Sequence, residues 1–415
     1  MIRVDRDRFL EEGFLVLRGV IPPRDLEVLR RSYEILVDRQ RRIWTDEAAR
    51  GKAPADLWRT SAQPRLNLTR PPELGDRESG PAFAFWLHEN VQGVSSVLLA
   101  EDDAPPTEMM LMCNPLRDHG PARWHRDFYP PLNCPLMAYA DDILESGPRY
   151  VQWNVPLYDD SVLWVVPGSH VRRNTSEENA SMSRDPRAPV PGGVQTRLQA
   201  GDGVVYILPI LHWGSNYSTK MRRTIHGGFA RLTHWHTTAW IEHLAPVARD
   251  TCLRWHERAA GYVNHGEAAL RAVLAADTGA YRSALDALHP GRGEKGVVKS
   301  TICLSKTARH IYNQRCVDPD GLTAPEALGI ESVHPMTLQW GRPLGDRFTP
   351  EEAEVLWTRF KPVDDLVQSD ENQLLPGFQG GETRYYFEEV PPALTSDNWY
   401  ASWTTGCIGN GASPS

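Results

Sequence analysis

At 415 residues the chain can bury a large core, either as one big domain or as two or three smaller ones. Its 45 Lys and Arg against 53 Asp and Glu give a formal charge of -8 with the two signs interspersed, which argues against nucleic acid as the main partner. No stretch approaches the roughly 20 apolar residues of a membrane span, the opening MIRVDRDRFLEEGFLVLRGV does not read as a signal peptide, and the six cysteines form no CxxC pair. A cytoplasmic chain with reduced thiols and no membrane partner is expected.

In chain order, DRDRFLEEG reads as a short amphipathic helix closed by Gly13, followed by an apolar strand FLVLRGV that turns at Ile21-Pro22-Pro23. The helical spacing in DLEVLRRSYEILVDRQRRIW predicts a long helix over about 24–45. From 105 to 235 the texture changes to short runs rich in β-branched and aromatic residues: TEMMLMCN, RYVQWNVPL, VLWVVPG, GVVYIL and TIHGGFARL. Turn residues separate them, as in a sandwich or jelly roll of antiparallel strands. After about 240 helical texture returns in LRWHERAAGYVNHGEAALRAVLAAD, AYRSALDALH and TPEEAEVLWTRF, and 362–415 reads as irregular. The boundary near 240 divides a core, 1–240, from an extension, 241–415.

Chemistry concentrates in WHRDFYPP, 124–131. On a strand, residues two apart share a face, so His125 and Asp127 present an imidazole and a carboxylate to one point while Arg126 points away. An isolated HxD is a weak signal. A third ligand is offered by His212, 85 positions after Asp127, beyond another apolar strand. Two histidines and one carboxylate on one face of an octahedron leave three positions open, the arrangement of non-haem Fe(II) oxygenases. Zinc is usually satisfied at four ligands. Arg223, 11 positions after His212, supplies a planar guanidinium suited to a two-point grip on a keto acid carboxylate.

These pieces resemble the phytanoyl-CoA dioxygenase (PhyH) family of Fe(II)/2-oxoglutarate-dependent oxygenases. The opening FLEEGFLVLRGVIPPRDLEVLRRSYE, the WHRD motif, VQWNVPLYDDSVLWVVPGSH and GDGVVYILPILHWGSNYSTKMRRTIHGGFA follow in the family's order over residues 7–235. The resemblance implies a mainly β fold, a double-stranded β-helix with flanking helices, plus a helical and irregular C-terminal extension. It implies His125, Asp127 and His212 as iron ligands, and Arg223 holding the distal carboxylate of 2-oxoglutarate with Ser215 as helper. Arg222 is the neighbouring alternative to Arg223, because strand alternation lets only one of them face the site. Asn154 or Gln152 is a further candidate for contact with the keto acid. The implied reaction consumes O2 and 2-oxoglutarate, releases succinate and CO2, and oxidises a C–H bond of a small organic molecule, hydroxylation being the default outcome. Position 161 is Ser where the family has a small turn residue, and the link before PGSH is shortened.

Two other readings compete: a non-catalytic β-helix scaffold, and a zinc-dependent hydrolase using the same residues. His234 and His236 read as a polar pair without metal, His170 as a turn residue, and Trp124, Trp153, Trp164 and Trp213 as core. The insert NCPLMAYADDILESGPR is a candidate substrate-recognition loop. For residues 241–415 the roles considered are lid, homodimer interface and substrate platform. A lid is expected from LQWGRPLG and DNWYASW.

Overall fold

The computed structural model describes residues 1–127, 134–233, 235, 237–288, 290–321, 344–367 and 389–408. His234, His236 and most of LQWGRPLG lie outside them. The chain divides into two compact units: residues 1–127, 148–170 and 174–259, and residues 128–147, 171–173 and 260–415.

The first unit opens with the helix Arg6–Glu12, capped by the Asp5 side chain on the Arg8 amide and ended by Gly13 in the left-handed region at φ 80°. A side chain at position 13 would also strike the His170 ring. The strand β1 (Phe14–Leu17) leads to the helix Pro23–Ala49, started by proline at its first position and running past the expected end near 45. Its buried face carries Leu29, Tyr33, Leu36 and Val37.

The remaining strands are β2 (Arg65–Asn67), β3 (Pro106–Cys113), β4 (Gly120–Pro121), β5 (Tyr150–Pro156), β6 (Trp164–Val165), β7 (Val194–Gln195), β8 (Gly203–Ile207), β9 (His212–Trp213), β10 (Ser215–Asn216) and β11 (Arg223–Ala230). Six form one sheet in the order β1-β8-β5-β11-β3-β2, every pair antiparallel. Smaller sheets are β7-β6-β9 and β10-β4. Phe14, Val204 and Tyr206 of the large sheet pack with Leu163, Val165 and Ile210 in one apolar cluster. The expected antiparallel texture is present, and helices do more than flank it.

The second unit is helical among its described residues. Its core gathers Leu270, Val273, Tyr281, Leu285, Ile302, Leu356, Phe360 and Trp399 from the helices Pro246–Ala275, Thr278–Leu288, Glu294–Tyr312, Pro350–Val367 and Ser396–Thr405. Three features correct the sequence reading. The insert expected as a recognition loop holds an 11-residue helix, Leu136–Ser146, because Leu136, Ala140 and Ile143 recur on one face and Gly147 stops it. Glu294–Tyr312 is a helix that its many Ser, Thr and β-branched residues concealed. Residues after 362 are not uniformly irregular: the helix continues through Pro362 to Val367, where Val363 and Val367 extend the buried face, and Ser396–Thr405 is helical. Trp399, from the expected lid segment DNWYASW, is fully buried in this unit's own core. No helix among the described residues is long and apolar enough to cross a membrane.

Candidate metal centre

His125 is placed by a single antiparallel bridge to His212, each amide donating to the other's carbonyl at 3.0 and 2.9 Å. That bridge joins residues 87 apart and sets their rings 4.3 Å apart, centroid to centroid. The Nδ1–H of His125 donates to the Arg123 carbonyl at 2.7 Å, and that of His212 to the Ile210 carbonyl at 3.0 Å. With both Nδ1 atoms so engaged, both Nε2 atoms turn to Asp127, whose Oδ1 lies 3.5 Å from His125 Nε2 and whose Oδ2 lies 3.4 Å from His212 Nε2. One ligand atom from each of the three lies within 4.8 Å of the others, so the trio can close on a single divalent ion. Among the described residues this is the group of His, Cys, Asp and Glu able to hold a metal ion.

Electrostatics fit the same purpose. Burial pushes the Asp127 carboxyl up, but the His212 charge and hydrogen bonds from both histidines outweigh it and hold the group well below the usual carboxylate range. Burial lowers His125, and its hydrogen bond and attraction to Asp127 reverse this, leaving it raised.

Arg126 does point away. Its fully buried guanidinium donates to the Ser169 carbonyl at 2.7 Å, to the Pro209 carbonyl and to Asn174 Oδ1 at 2.7 Å. It thereby ties the PGSH segment and the approach to His212 to the segment carrying His125 and Asp127.

A polar face of the large sheet surrounds the trio. Gln152 Nε2 donates to Asp127 Oδ2 at 2.8 Å and to the Tyr206 hydroxyl at 2.7 Å. Two residues on, Asn154 Oδ1 accepts from His226 Nδ1 at 2.6 Å, and the two pair across β5 and β11. Burial lowers His226 to about 3, so it is neutral. The face continues over β3 through Met110, opposite His226, and Glu108, opposite Gly228. A side chain on Gly228 would meet the Tyr150 ring at 2.0 Å, so glycine is what lets that ring cross the sheet.

The two neighbouring arginines part at the start of β11. Arg223 lies on the opposite face of β11: its Nε and Nη2 grip Glu34 at 2.7 and 3.3 Å, and Nη1 donates to Asn114 Oδ1 at 3.0 Å. Arg222 shares a face with Thr224 and His226. Its Nε and the Thr224 hydroxyl both donate to Asp160 Oδ2 at 2.9 Å. Its two terminal nitrogens have no partner among the described residues. Residues 214–222 between His212 and β11 include an irregular turn, across which spacing carries no strand parity. Ser215 is buried in β10, opposite Pro121. Trp124 stacks on Trp213 at 5.4 Å in a small apolar cluster, as core residues do. Two residues of the site escaped the sequence reading, Tyr206 entirely and Gln152 in its hold on Asp127. The alternation of Gln152 and Asn154 on an otherwise apolar strand was the available signal.

No family model matches the chain. Among curated proteins, 86 residues, 21% of the chain, are 31% identical to polyribonucleotide nucleotidyltransferase of Synechococcus sp. (strain JA-2-3B'a(2-13)), and the match spans only 12% of that protein. Among solved structures, AviO1 from Streptomyces viridochromogenes Tue57 is 20% identical, covering 55% of this chain and 96% of that one at a TM-score of 0.38. EctD from S. alaskensis, solved with 2-oxoglutarate and 5-hydroxyectoine, is 17% identical, covering 54% and 74% at 0.37. The non-heme alpha ketoglutarate dependent epimerase SnoN from nogalamycin biosynthesis is 15% identical, covering 54% and 79% at 0.35. Scores this low carry no conclusion about fold or activity.

Proposed function

We propose that the chain is a non-haem Fe(II)/2-oxoglutarate-dependent oxygenase of the PhyH type, built on a double-stranded β-helix and hydroxylating a C–H bond of a small organic molecule, a natural-product intermediate in the cytoplasm. The observation that carries this reading is the convergence of two imidazole Nε2 atoms on one carboxylate, with both Nδ1 atoms held by backbone carbonyls. The donor set, two nitrogens and a carboxylate on one side, fits a ferrous ion and leaves the other side open to ligands. A ferrous ion held there, with 2-oxoglutarate and O2, supplies the oxidising power, the keto acid leaving as succinate and CO2.

The chain's own residues position and shield. His125, Asp127 and His212 hold the metal, and Gln152 fixes the carboxylate's orientation. Arg222, in place of Arg223, grips the distal carboxylate of 2-oxoglutarate with its two terminal nitrogens while Asp160 anchors its Nε. Ser215 and Asn154 are the supporting polar contacts. Substrate lies over the face that carries Met110 and Glu108, where Tyr150 covers the sheet and limits water.

Anaerobic Fe(II) with 2-oxoglutarate should give a weak visible charge-transfer band that His125→Ala protein lacks, and O2 should then release succinate. A wild-type protein with neither band nor succinate at full iron loading ends this reading. If the segment 241–415 acts as a lid, metal with 2-oxoglutarate slows its tryptic cleavage; unchanged cleavage counts against a lid.

A further inference from the structure

The sheet face beside the metal centre displays two charges that the proposed oxidation leaves without a role. Opposite residues of paired antiparallel strands point to the same side, so the register arranges this face in rows. One row runs Glu108, Gly228, Gln152 and Tyr206 across β3, β11, β5 and β8, and Gln152 is the residue bonded to Asp127. The next holds Asn67, Met110, His226 and Asn154, and the third holds Arg65, Met112 and Thr224. Leu66, Met109 and Leu111, which alternate with these residues, are fully buried on the other side of the sheet, whereas Arg65 and Glu108 are exposed and Asn67 and Met110 half-buried. Solvent, and hence a small molecule, reaches this part of the face. All of these residues belong to the first unit.

Both charges are open to a ligand. Glu108 makes no hydrogen bond and no ion pair among the described residues. The protein around its carboxyl strips part of its water, and with the charge of Asp127 this holds the group above the ordinary carboxylate range; the cations of Arg65 and Arg70 draw it back only in part. Arg65 is held by one nitrogen: its Nε donates to Gln63 Oε1 at 2.7 Å, and Gln63 Nε2 donates in turn to Asn216 Oδ1 at 3.1 Å. Neither terminal nitrogen of Arg65 has a partner among the described residues, which leaves an oriented fork for a carboxylate. Arg65 lies opposite Met112, four residues along β3 from Glu108 and one strand across, so the two Cα atoms stand about 14 Å apart with Met110 as an apolar floor between them.

We infer that the substrate is an amphoteric small molecule, with an amine at one end and a carboxylate at the other, whose ammonium group meets Glu108 and whose carboxylate meets Arg65 while Met110 packs against its middle. This names the substrate class within the oxygenase reading and rests on it. The ammonium end lies nearer the metal, because Glu108 shares its row with Gln152, the residue that holds Asp127. Glu108 and Arg65 thus select and orient the substrate without touching the metal ligands, and the two opposite charges at a fixed separation reject molecules that carry only one of them.

The test titrates ε-aminocaproate into the full-length protein, with hexylamine and hexanoate as one-ended controls, and follows binding by ligand-observed NMR without added metal, so that binding is read apart from turnover. Wild-type protein should bind ε-aminocaproate about tenfold more tightly than either control, the gain expected of one further charged contact. In Glu108→Gln protein the advantage over hexanoate should vanish, and in Arg65→Gln protein the advantage over hexylamine, each with the melting curve of wild type because both side chains are exposed. The comparison of the three probes on wild-type protein needs no variant to fold. Equal binding of all three, no binding of ε-aminocaproate, or a preference that survives these substitutions and is lost in Arg222→Lys protein overturns the inference. The Fe(II)/2-oxoglutarate charge-transfer band is recorded on the same preparation: selective binding without the band defeats the oxygenase reading and supports the paired-charge site, while the band without selectivity defeats this inference alone.

Discussion

Replacing Gln152 with leucine keeps most of the side chain's bulk and removes both of its donated hydrogen bonds, at 2.8 Å to Asp127 and 2.7 Å to Tyr206. The first is a bond to an ionised carboxylate, a kind worth about 1.5–3 kcal/mol, while a neutral bond is worth about 1 kcal/mol. The loss is felt where the carboxylate must be aimed, that is, in metal binding, whereas the Tyr206 bond concerns folding alone. At 1.4 kcal/mol per decade, roughly 1.5–3 kcal/mol corresponds to about 10–150-fold weaker affinity, matching the 10–100-fold typical of groups that orient a metal ligand. Calorimetric titration with Co(II) or Ni(II), alongside circular dichroism and a melting curve, measures this. A Gln152→Leu protein that keeps its fold and binds metal within twofold of wild type would refute the orienting role.

The two neighbouring arginines should separate by assay. Arg222→Lys keeps a charge beside Asp160 but loses the fork, and should weaken 2-oxoglutarate about tenfold in the charge-transfer titration with little change in melting. Arg223→Lys should instead cost about 1–2 kcal/mol of stability through Glu34 and leave that titration unchanged; the reverse pattern would restore Arg223 to the site. Burial lowers His226 from 6.5 to about 3, so the unfolded chain takes up the proton first and stability falls as pH drops through that window. Urea melts of His226→Asn protein should show a flatter profile between those pH values than wild type; parallel profiles contradict the buried neutral imidazole. Lys299→Met removes the charged bond that Lys299 donates to buried Asp142 and should cost about 1.5–3 kcal/mol in denaturant unfolding; an unchanged denaturation midpoint would refute that contribution.

Local pattern alone determined much of this protein. The β-branched and aromatic runs of β3, β5, β8 and β11 and the helical period of Pro23–Ala49 are one-dimensional signals, each acting within a few residues. The two-residue spacing of His125 and Asp127, with Arg126 between them pointing away, was legible too, although these residues form a single bridge and not a strand. Such signals failed where the period was weak. Leu136–Ser146 lay hidden in an insert, and Glu294–Tyr312 among Ser, Thr and Val, because their helicity depends on burial against other helices. Only the tertiary structure decided what meets what. His212 joins His125 through a bridge between residues 87 apart, Gln152 reaches Asp127, and beyond an irregular turn Arg222 pairs with Asp160 while Arg223 pairs with Glu34. Strand parity resets across such a turn, so no count along the chain can carry it; the partners Glu34 and Asp160 fix it in space.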